Sequence, residues 1–180
     1  HRVDRRQRQM CIRDRYKMLK MHKRRKMRRR LPTRDRKPLL QPANINSSWS
    51  MDFMSDSLAC GRKVRTFNVL DDCSREILAI EIASSIPAER VVRTLDRLLE
   101  WRGRPTMIRV DNGPEFTGHC FTKWADDNMI AIQFIQPGKP MQNGFIERFN
   151  GTYRKEVLDA YLFTELDEII TVTEQWIKEY

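Results

Sequence analysis

The sequence predicts an α/β domain built on a mixed five-stranded sheet flanked by helices, with a basic N-terminal extension. Two observations support this fold class. Residues 49–82 contain three strand patterns joined by short turns, which is typical of an antiparallel meander. Residues 87–180 then alternate between helical and strand patterns, as in domains whose helices pack on a sheet. The 180 residues suffice for one such domain and a modest extension.

The first three strands come early in the predicted domain. The apolar side chains of Trp49 and Phe53 belong to a period-two alternation, so we expect Asp52 to lie on the opposite face of the strand. Segments 66–70 and 77–82 are predicted as the second and third strands because apolar and β-branched residues dominate them.

The remaining elements follow from helix start and stop signals and from apolar periodicity. They are a helix between Pro87 and Gly103, a strand at 107–110, a helix around 120–125, a strand at 130–134, and helices at 142–158 and 164–180. The order β-β-β-α-β-α-β-α-α is the one that an RNase H-like fold requires. The pattern at 164–167 resembles a capping box. Because the last helix reaches Tyr180 without a cap, we expect the domain to be truncated there.

Positive charge is concentrated near the N-terminus. Residues 1–38 hold 18 Lys and Arg against 3 Asp, whereas residues 39–180 hold 16 Lys and Arg against 21 Asp and Glu. Such a basic segment repels itself unless a polyanion neutralises it, and nucleic acid is the usual polyanion. We therefore predict a partly disordered, DNA-contacting extension at 1–38, a linker at 39–48 and a core at 49–180. A solvated arm that serves targeting or solubility is the alternative.

The rest of the composition excludes some classes of protein. No apolar run approaches the ~18 residues that a membrane span needs. The four cysteines include no CxxC pair, which argues against a disulfide framework or a cysteine-rich zinc site. These features predict a cytoplasmic protein.

Three acidic residues are candidates for metal-assisted chemistry on phosphodiesters, which needs carboxylates from separate segments to converge. Asp52 lies within a strand, where a buried charge is costly unless it is paired or binds metal. Asp111 ends an apolar strand, at the edge of a sheet where ligands bind. Glu147 lies on a predicted helix, in a polar row beside the apolar stripe. This row consists of Asn143, Glu147, Asn150 and Arg154.

Each candidate also has an ordinary structural explanation. Asp52 could face solvent, Asp111 could belong to a plain turn, and Glu147 could lie on an amphipathic surface helix. Four charged residues near the second strand are interpreted as structural. Asp71 and Asp72 are assigned to a hairpin turn, and Arg75 and Glu76 to a surface ion pair.

Taken together, the motifs resemble those of bacterial insertion-sequence transposases whose second reading frame encodes a retroviral-integrase-like core. The matching segments are 49–53, 71–76, 111–116, 137–140 and 142–151. Asp111 and Glu147 are separated by 35 residues, the spacing of the D,D(35)E signature. The resemblance covers roughly residues 17–180, and the family continues past Tyr180 with a segment that is absent here.

The resemblance implies a DNA transposase that cleaves DNA and transfers strands during integration. It implies that Asp52, Asp111 and Glu147 coordinate two Mg²⁺ or Mn²⁺ ions. It also implies that Asn112, Gly113 and Glu115 shape the loop after the second aspartate. The residues expected to approach DNA are Lys139, Asn143, Asn150, Arg154, Arg24, Arg25, Arg28 and Arg29. The implied partners are the element ends, the target DNA and further copies of the chain, in a bacterial cytoplasm where the protein joins the nucleoid when bound to DNA.

Two other functions stay open at this stage. The first is an RNase H-like nuclease without strand transfer, against which the spacing of 35 residues argues. The second is a non-catalytic DNA-binding remnant of a decayed element, against which the presence of all three acids argues.

Overall fold

The computed structural model describes residues 41–136 and 140–180. The predicted extension at 1–38 and Lys139 lie outside the described residues. The strands are β1 (Ser48–Ser57), β2 (Lys63–Asp71), β3 (Ile77–Ala83), β4 (Met107–Val110) and β5 (Ala131–Phe134). The helices are α1 (Ala88–Arg102), α2 (Pro114–Thr117), α3 (His119–Asp127), α4 (Gly144–Tyr153) and α5 (Leu166–Glu179). A 3₁₀ turn (Pro140–Asn143) precedes α4 and a π turn (Arg154–Leu158) follows it.

The five strands form one sheet in the order β3-β2-β1-β4-β5. Strands β1, β2 and β3 form the expected antiparallel meander, whereas β4 and β5 extend the sheet in parallel with β1. The predicted mixed five-stranded sheet is therefore confirmed. In the parallel pair, Ser50 lies opposite Arg109. Two residues further along each strand come Asp52 and Asp111, which places both carboxylates on the same face of the sheet.

Apolar side chains cover both faces of the sheet. One core joins Trp49 and Met51 of β1 to the apolar faces of α1 and α3. The other core joins Met54 of β1 to α4, the π turn and α5. This alternation follows the period-two pattern of β1, and it directs Asp52 toward α4 rather than toward α1. Among the described residues, no helix combines the length and apolarity needed to cross a membrane.

The long helix predicted at 142–158 is divided into three parts. Only Gly144–Tyr153 is α-helical. At its end the Asp159 N–H donates to the Arg154 carbonyl at 2.8 Å, which widens the last turn. Both Val157 and Leu158 are buried in this wider turn. The short helix α2 was not predicted, because Asp111–Pro114 has the composition of a loop.

The capping box of α5 lies one residue later than predicted. Glu165 is the N-cap, and the Glu168 carboxylate accepts hydrogen bonds from the N–H groups of Thr164 (2.7 Å) and Glu165 (3.3 Å). The side chain of Glu168 reaches back to the N-cap more readily than that of Asp167 because it is one methylene longer.

A buried ion pair joins the strands that carry the two aspartates. Asp72 is fully buried and accepts hydrogen bonds from Arg109 (2.7 Å) and from the hydroxyls of Ser48 (2.8 Å) and Ser50. Arg109 also donates through Nε to Gln133 of β5 at 3.1 Å. The network thus connects the end of β2 with β1, β4 and β5, on the face that carries the carboxylates.

The structural interpretation of Asp71 and Asp72 is confirmed. Asp71 is also fully buried, and its carboxylate accepts the N–H groups of Asn46 (2.9 Å) and Cys73 (2.8 Å). The carboxylate oxygens of both acids therefore accept hydrogen bonds from the hairpin and its neighbours.

The predicted ion pair between Arg75 and Glu76 is wrong. Glu76 pairs with Arg102 at 2.6 Å, while the Arg75 guanidinium lies 3.1 Å from the centre of the Phe145 ring in α4. Arg75 adopts a left-handed backbone (φ 65°), so the two successive side chains leave the turn in different directions.

We expect Arg109→Met to reduce the free energy of unfolding by about 3–5 kcal/mol, because it leaves the Asp72 carboxylate buried without its counter-charge. Urea unfolding measures the change. The matched control is Arg97→Met, since Arg97 forms an exposed pair with Glu81 and such pairs contribute at most about 1 kcal/mol. Equal losses in both variants would show that the buried pair has no special structural role.

Candidate active site

The structure brings the three predicted acids to one region of the sheet. Asp52 lies on β1, Asp111 follows β4, and Glu147 lies in the first turn of α4. Burial, together with the negative charges of Asp111 and Glu147, raises the pKa of Asp52 to about 6, against the lowering effect of two hydrogen bonds. The negative charges of Asp111 and Glu147 therefore act on Asp52.

Both oxygens of Asp52 accept hydrogen bonds from the protein. The Phe53 N–H donates to Oδ1 at 2.8 Å, and the side-chain amide of Asn150 donates to Oδ2 at 2.8 Å. The amide of Asn68, on the neighbouring strand, donates in turn to Asn150 Oδ1 at 2.7 Å. Asp52 is therefore held in one orientation by its own strand and by α4.

A short loop orients Asp111 in the same way. The Gly113 N–H donates to Asp111 Oδ1 at 2.9 Å, and the Asn112 side chain donates to the Ile135 carbonyl at 2.9 Å. A Cβ on Gly113 would lie 2.9 Å from Asp111 Oδ1 and 3.3 Å from Glu115 Oε2. The loop fits closely around the carboxylate because residue 113 has no side chain.

Glu115 ties this loop to the sheet. Its carboxylate pairs with Arg65 at 2.6 Å, and the Arg65 guanidinium lies 4.5 Å from the centre of the Phe53 ring. The loop that carries Asp111 is thus connected to β2 and β1 as well as to β4.

Glu147 differs from the two aspartates in its surroundings. Its side chain is exposed, and partial burial raises its pKa. Its place in the first turn of α4 favours a negative charge, because the free N–H groups of a helix point toward its N-terminus.

The other members of the predicted polar row bind within the protein. Asn143 is buried and donates to the Met51 carbonyl at 3.3 Å, and Asn150 is buried against Asp52. Arg154 is partly exposed, with its Nη2 donating to the Ser55 carbonyl at 3.0 Å. Lys139 and the four arginines predicted to approach DNA lie outside the described residues.

Sequence reasoning missed two residues that shape this site. Asn68 contacts Asn150, and Arg65 contacts Glu115. A signal for Asn68 was present, because an asparagine in the middle of an apolar strand is costly unless its amide is bonded. No local pattern singles out Arg65, since its partner is 50 residues away in the chain.

The three acids supply the oxygen ligands that a hard cation prefers, but they are not already arranged as a metal site. Within residues 41–136 and 140–180, no group of three or more acidic, histidine or cysteine side chains is already arranged to hold a metal ion. The donors are all carboxylate oxygens, which suit Mg²⁺ and Mn²⁺. The residues thus fit such ions by chemistry, and the repulsion around Asp52 is what a cation would relieve.

Comparison with known protein families agrees with this fold. Residues 42–140 match the integrase core domain family, and residues 128–180 match a second family with the same description. The chain belongs to the integrase core domain family. It is 41% identical over 162 residues to the insertion element IS476 uncharacterized 39.2 kDa protein of Xanthomonas euvesicatoria. That match covers 90% of this chain but 46% of the relative, so the chain spans about half its length.

Solved structures share the fold at low sequence identity. The simian T-cell lymphotropic virus intasome, solved by cryo-EM with a PP2A regulatory subunit, matches with a TM-score of 0.66 and 19% identity. The match covers 86% of this chain and 57% of the matched chain in the intasome structure. The HTLV-2 integrase catalytic core in complex with magnesium matches with a TM-score of 0.56 and 21% identity, covering 71% and 82%. The resemblance to integrase-like insertion-sequence proteins and the RNase H-like fold are thereby confirmed.

The raised pKa of Asp52 predicts the pH dependence of stability in metal-free protein. Between its usual pKa of 3.8 and about 6, folded Asp52 retains a proton that the unfolded chain has released. Its contribution to stability is therefore fully present below the unfolded pKa and is lost as pH rises through the folded pKa. Relative to Asp52→Asn, we expect the wild-type free energy of unfolding to fall by on the order of 2 kcal/mol between about pH 4 and about pH 7.

Urea unfolding at a series of pH values, in the presence of a chelator, measures this difference. Asp127→Asn, an exposed acid on α3, is the control and should follow the wild-type profile. Parallel profiles for wild type and Asp52→Asn would contradict the raised pKa.

Proposed function

We propose that the chain is the catalytic core of an insertion-sequence transposase that cleaves DNA and transfers strands, with Asp52, Asp111 and Glu147 binding two Mg²⁺ or Mn²⁺ ions. The observation that carries this proposal is that Asp52 and Asp111 lie on one face of the sheet, where burial and the negative charges of Asp111 and Glu147 raise the pKa of Asp52 to about 6. Membership of the integrase core domain family supports the reaction class. The magnesium complex of the HTLV-2 integrase core supports the choice of metal.

The three carboxylates would have different roles because their surroundings differ. Asp52 is held through both oxygens and Asp111 through one, so each presents its remaining lone pairs in a fixed direction. Glu147 is exposed and has the longer side chain, so it can adjust to ions and to DNA. Bound divalent ions activate water or a 3′-hydroxyl as the nucleophile and stabilise the leaving oxygen.

DNA is the proposed partner. We propose that the basic segment at 1–38 provides counterion release on the phosphate backbone, with Arg24, Arg25, Arg28 and Arg29 among its contacts. Lys139 and Arg154 are also proposed to contact DNA. For Asn143 and Asn150 we propose a supporting role from within the protein, because their amides already bind Met51 and Asp52. Assembly as a multimer on DNA, in a bacterial cytoplasm, completes the proposal.

A DNA-binding remnant without catalysis is the second candidate. The observation in its favour is that the described acids form no closed metal-binding group. Salt-sensitive DNA binding, together with the absence of any metal-dependent strand exchange, would support it.

We expect Asp111→Asn and Glu147→Gln each to reduce metal-dependent strand exchange by about 10²-fold or more, because each removes a ligand of ions that contribute several kcal/mol to the transition state. The assay is joining and reverse joining on branched DNA with Mn²⁺, since a branched substrate does not require the native element ends. Both substitutions preserve shape, and the amide oxygen introduced by Asp111→Asn can still accept the Gly113 N–H, so the fold should persist.

Asp127→Asn serves as the charge-matched control and should retain wild-type activity. Wild-type protein that folds and binds DNA yet exchanges no strands with Mn²⁺ would favour the remnant. Cleavage without joining would favour the nuclease. Activity that survives both site substitutions would refute the assignment of the three acids.

We expect Gly113→Ala to impair catalysis with little effect on folding. Gly113 has φ −63° and ψ 152°, which any residue adopts, so the backbone is unstrained. The added methyl would lie 2.9 Å from Asp111 Oδ1 and must displace that carboxylate. A loss of about 10-fold or more in strand exchange is expected from such a misplacement, with a stability change below about 1 kcal/mol.

Gly151→Ala is the matched control, because a Cβ at that position of α4 meets nothing within 4 Å. It should leave strand exchange unchanged and stabilise the helix slightly. Equal activity in the two alanine variants would show that the position of the Asp111 carboxylate tolerates displacement.

A further inference from the structure

We propose that Asn68 is a positioning residue that acts through Asn150 to orient the Asp52 carboxylate for metal binding. The inference deepens the proposed function and, in its metal-binding part, rests on it. Asn68 is fully buried on β2, directly opposite Asp52 in the antiparallel register. It touches no solvent, so it acts only through its neighbours.

The hydrogen bonds run in one direction, from Asn68 through Asn150 to Asp52. Asn68 Nδ2 donates to Asn150 Oδ1 at 2.7 Å, and Asn150 Nδ2 donates to Asp52 Oδ2 at 2.8 Å. An ionised carboxylate can only accept, so Asn150 must present its NH₂ group to Asp52. A rotated Asn150 amide would place its carbonyl oxygen against the carboxylate and its NH₂ group against that of Asn68. The donor from Asn68 therefore selects one of the two amide orientations.

Asn68 is also poorly suited to a role in stability alone. Its Oδ1 atom is buried and has no hydrogen-bond partner among the described residues. An unsatisfied buried amide carbonyl destabilises a fold, whereas an apolar side chain of similar size would not incur this cost. Its cross-strand neighbour on the other side is Ile80, which suits an apolar replacement. The bond to Asn150 therefore explains why position 68 is an asparagine, whereas packing does not.

The two oxygens of Asp52 are held by different elements of the fold. Its Oδ1 is held by a main-chain donor of its own strand, while Oδ2 is held by α4 through Asn150. The second bond therefore fixes the carboxylate relative to the helix that carries Glu147, three residues before Asn150. An error in the Asn150 orientation would rotate Asp52 with respect to Glu147. Outer-sphere hydrogen bonds of this kind affect metal affinity by about 10–100-fold.

The test uses the full chain and the nearly isosteric variant Asn68→Leu. Thr66→Val is the matched control, because Thr66 lies on the same face of β2 and its buried hydroxyl also has no partner among the described residues. Two readouts are compared. The first is the ¹⁵N NMR signal and hydrogen exchange of the Asn150 side-chain amide in metal-free protein. The second is the dissociation constant for Mn²⁺, measured by calorimetry.

We expect Asn68→Leu to fold with a melting temperature close to that of wild type, because it removes one unsatisfied buried carbonyl, Asn68 Oδ1, and leaves another, Asn150 Oδ1. The Asn150 amide should shift and exchange faster. Mn²⁺ binding should weaken by about 10-fold. In the Asn150→Ala background, Asn68→Leu should have no further effect on Mn²⁺ affinity, because the two residues act in series. Thr66→Val should leave both readouts unchanged.

The two readouts separate this inference from the proposed function. An Asn150 amide signal that is unchanged in Asn68→Leu overturns the inference, whatever the metal affinity. A shifted amide with wild-type Mn²⁺ affinity overturns the role in metal binding. If the wild-type protein itself binds no Mn²⁺, the metal site of the proposed function fails, and the orienting role of Asn68 is then decided by the NMR readout alone.

Discussion

Parallel pairing of β1 with β4 is the constraint on which the rest of the structure depends. It sets Asp52 and Asp111 side by side on one face of the sheet, although 58 residues separate them in the chain. Parallel pairs of this length are weak by themselves, since β4 has four residues. Asp72 accepts hydrogen bonds from Arg109 of β4 and from the hydroxyls of Ser48 and Ser50 of β1, and this buried network holds the pair in register.

This arrangement concentrates negative charge in a region whose other acids already have hydrogen-bonding or charged partners. Asp71 and Asp72 have their charges compensated by backbone, hydroxyl and guanidinium donors, and they act as structural groups. Asp52 has hydrogen bonds but no cationic partner in the described part of the chain, and its pKa rises to about 6. The contrast between compensated and uncompensated acids distinguishes the structural carboxylates from the candidate active site, and an uncompensated cluster is what a divalent cation would stabilise.

Small uncharged groups set the precision of this site. Gly113 supplies a main-chain donor and the space that the Asp111 carboxylate occupies. Asn150 supplies the donor that links Asp52 to α4, and Asn68 lies behind it. Such groups add no charge, so they orient the carboxylates without neutralising them. Their directional bonds matter most in a site whose ligands come from two strands and a helix.

The sequence by itself determined the five strands and most of the helices, the face of β1 on which Asp52 lies, and the three candidate acids. These are local properties, because the period of apolar residues, the spacing of 35 residues and the turn at Asp111 can be read within short windows. Only the tertiary structure decided which polar residues share a bond. Asn68 and Asn150 are 82 residues apart, and Arg65 and Glu115 are 50 apart. The division of the 142–158 helix and the partners of Arg75 and Glu76 were likewise decided by packing, since a hydrogen bond between distant segments depends on the three-dimensional path of the chain rather than on local pattern.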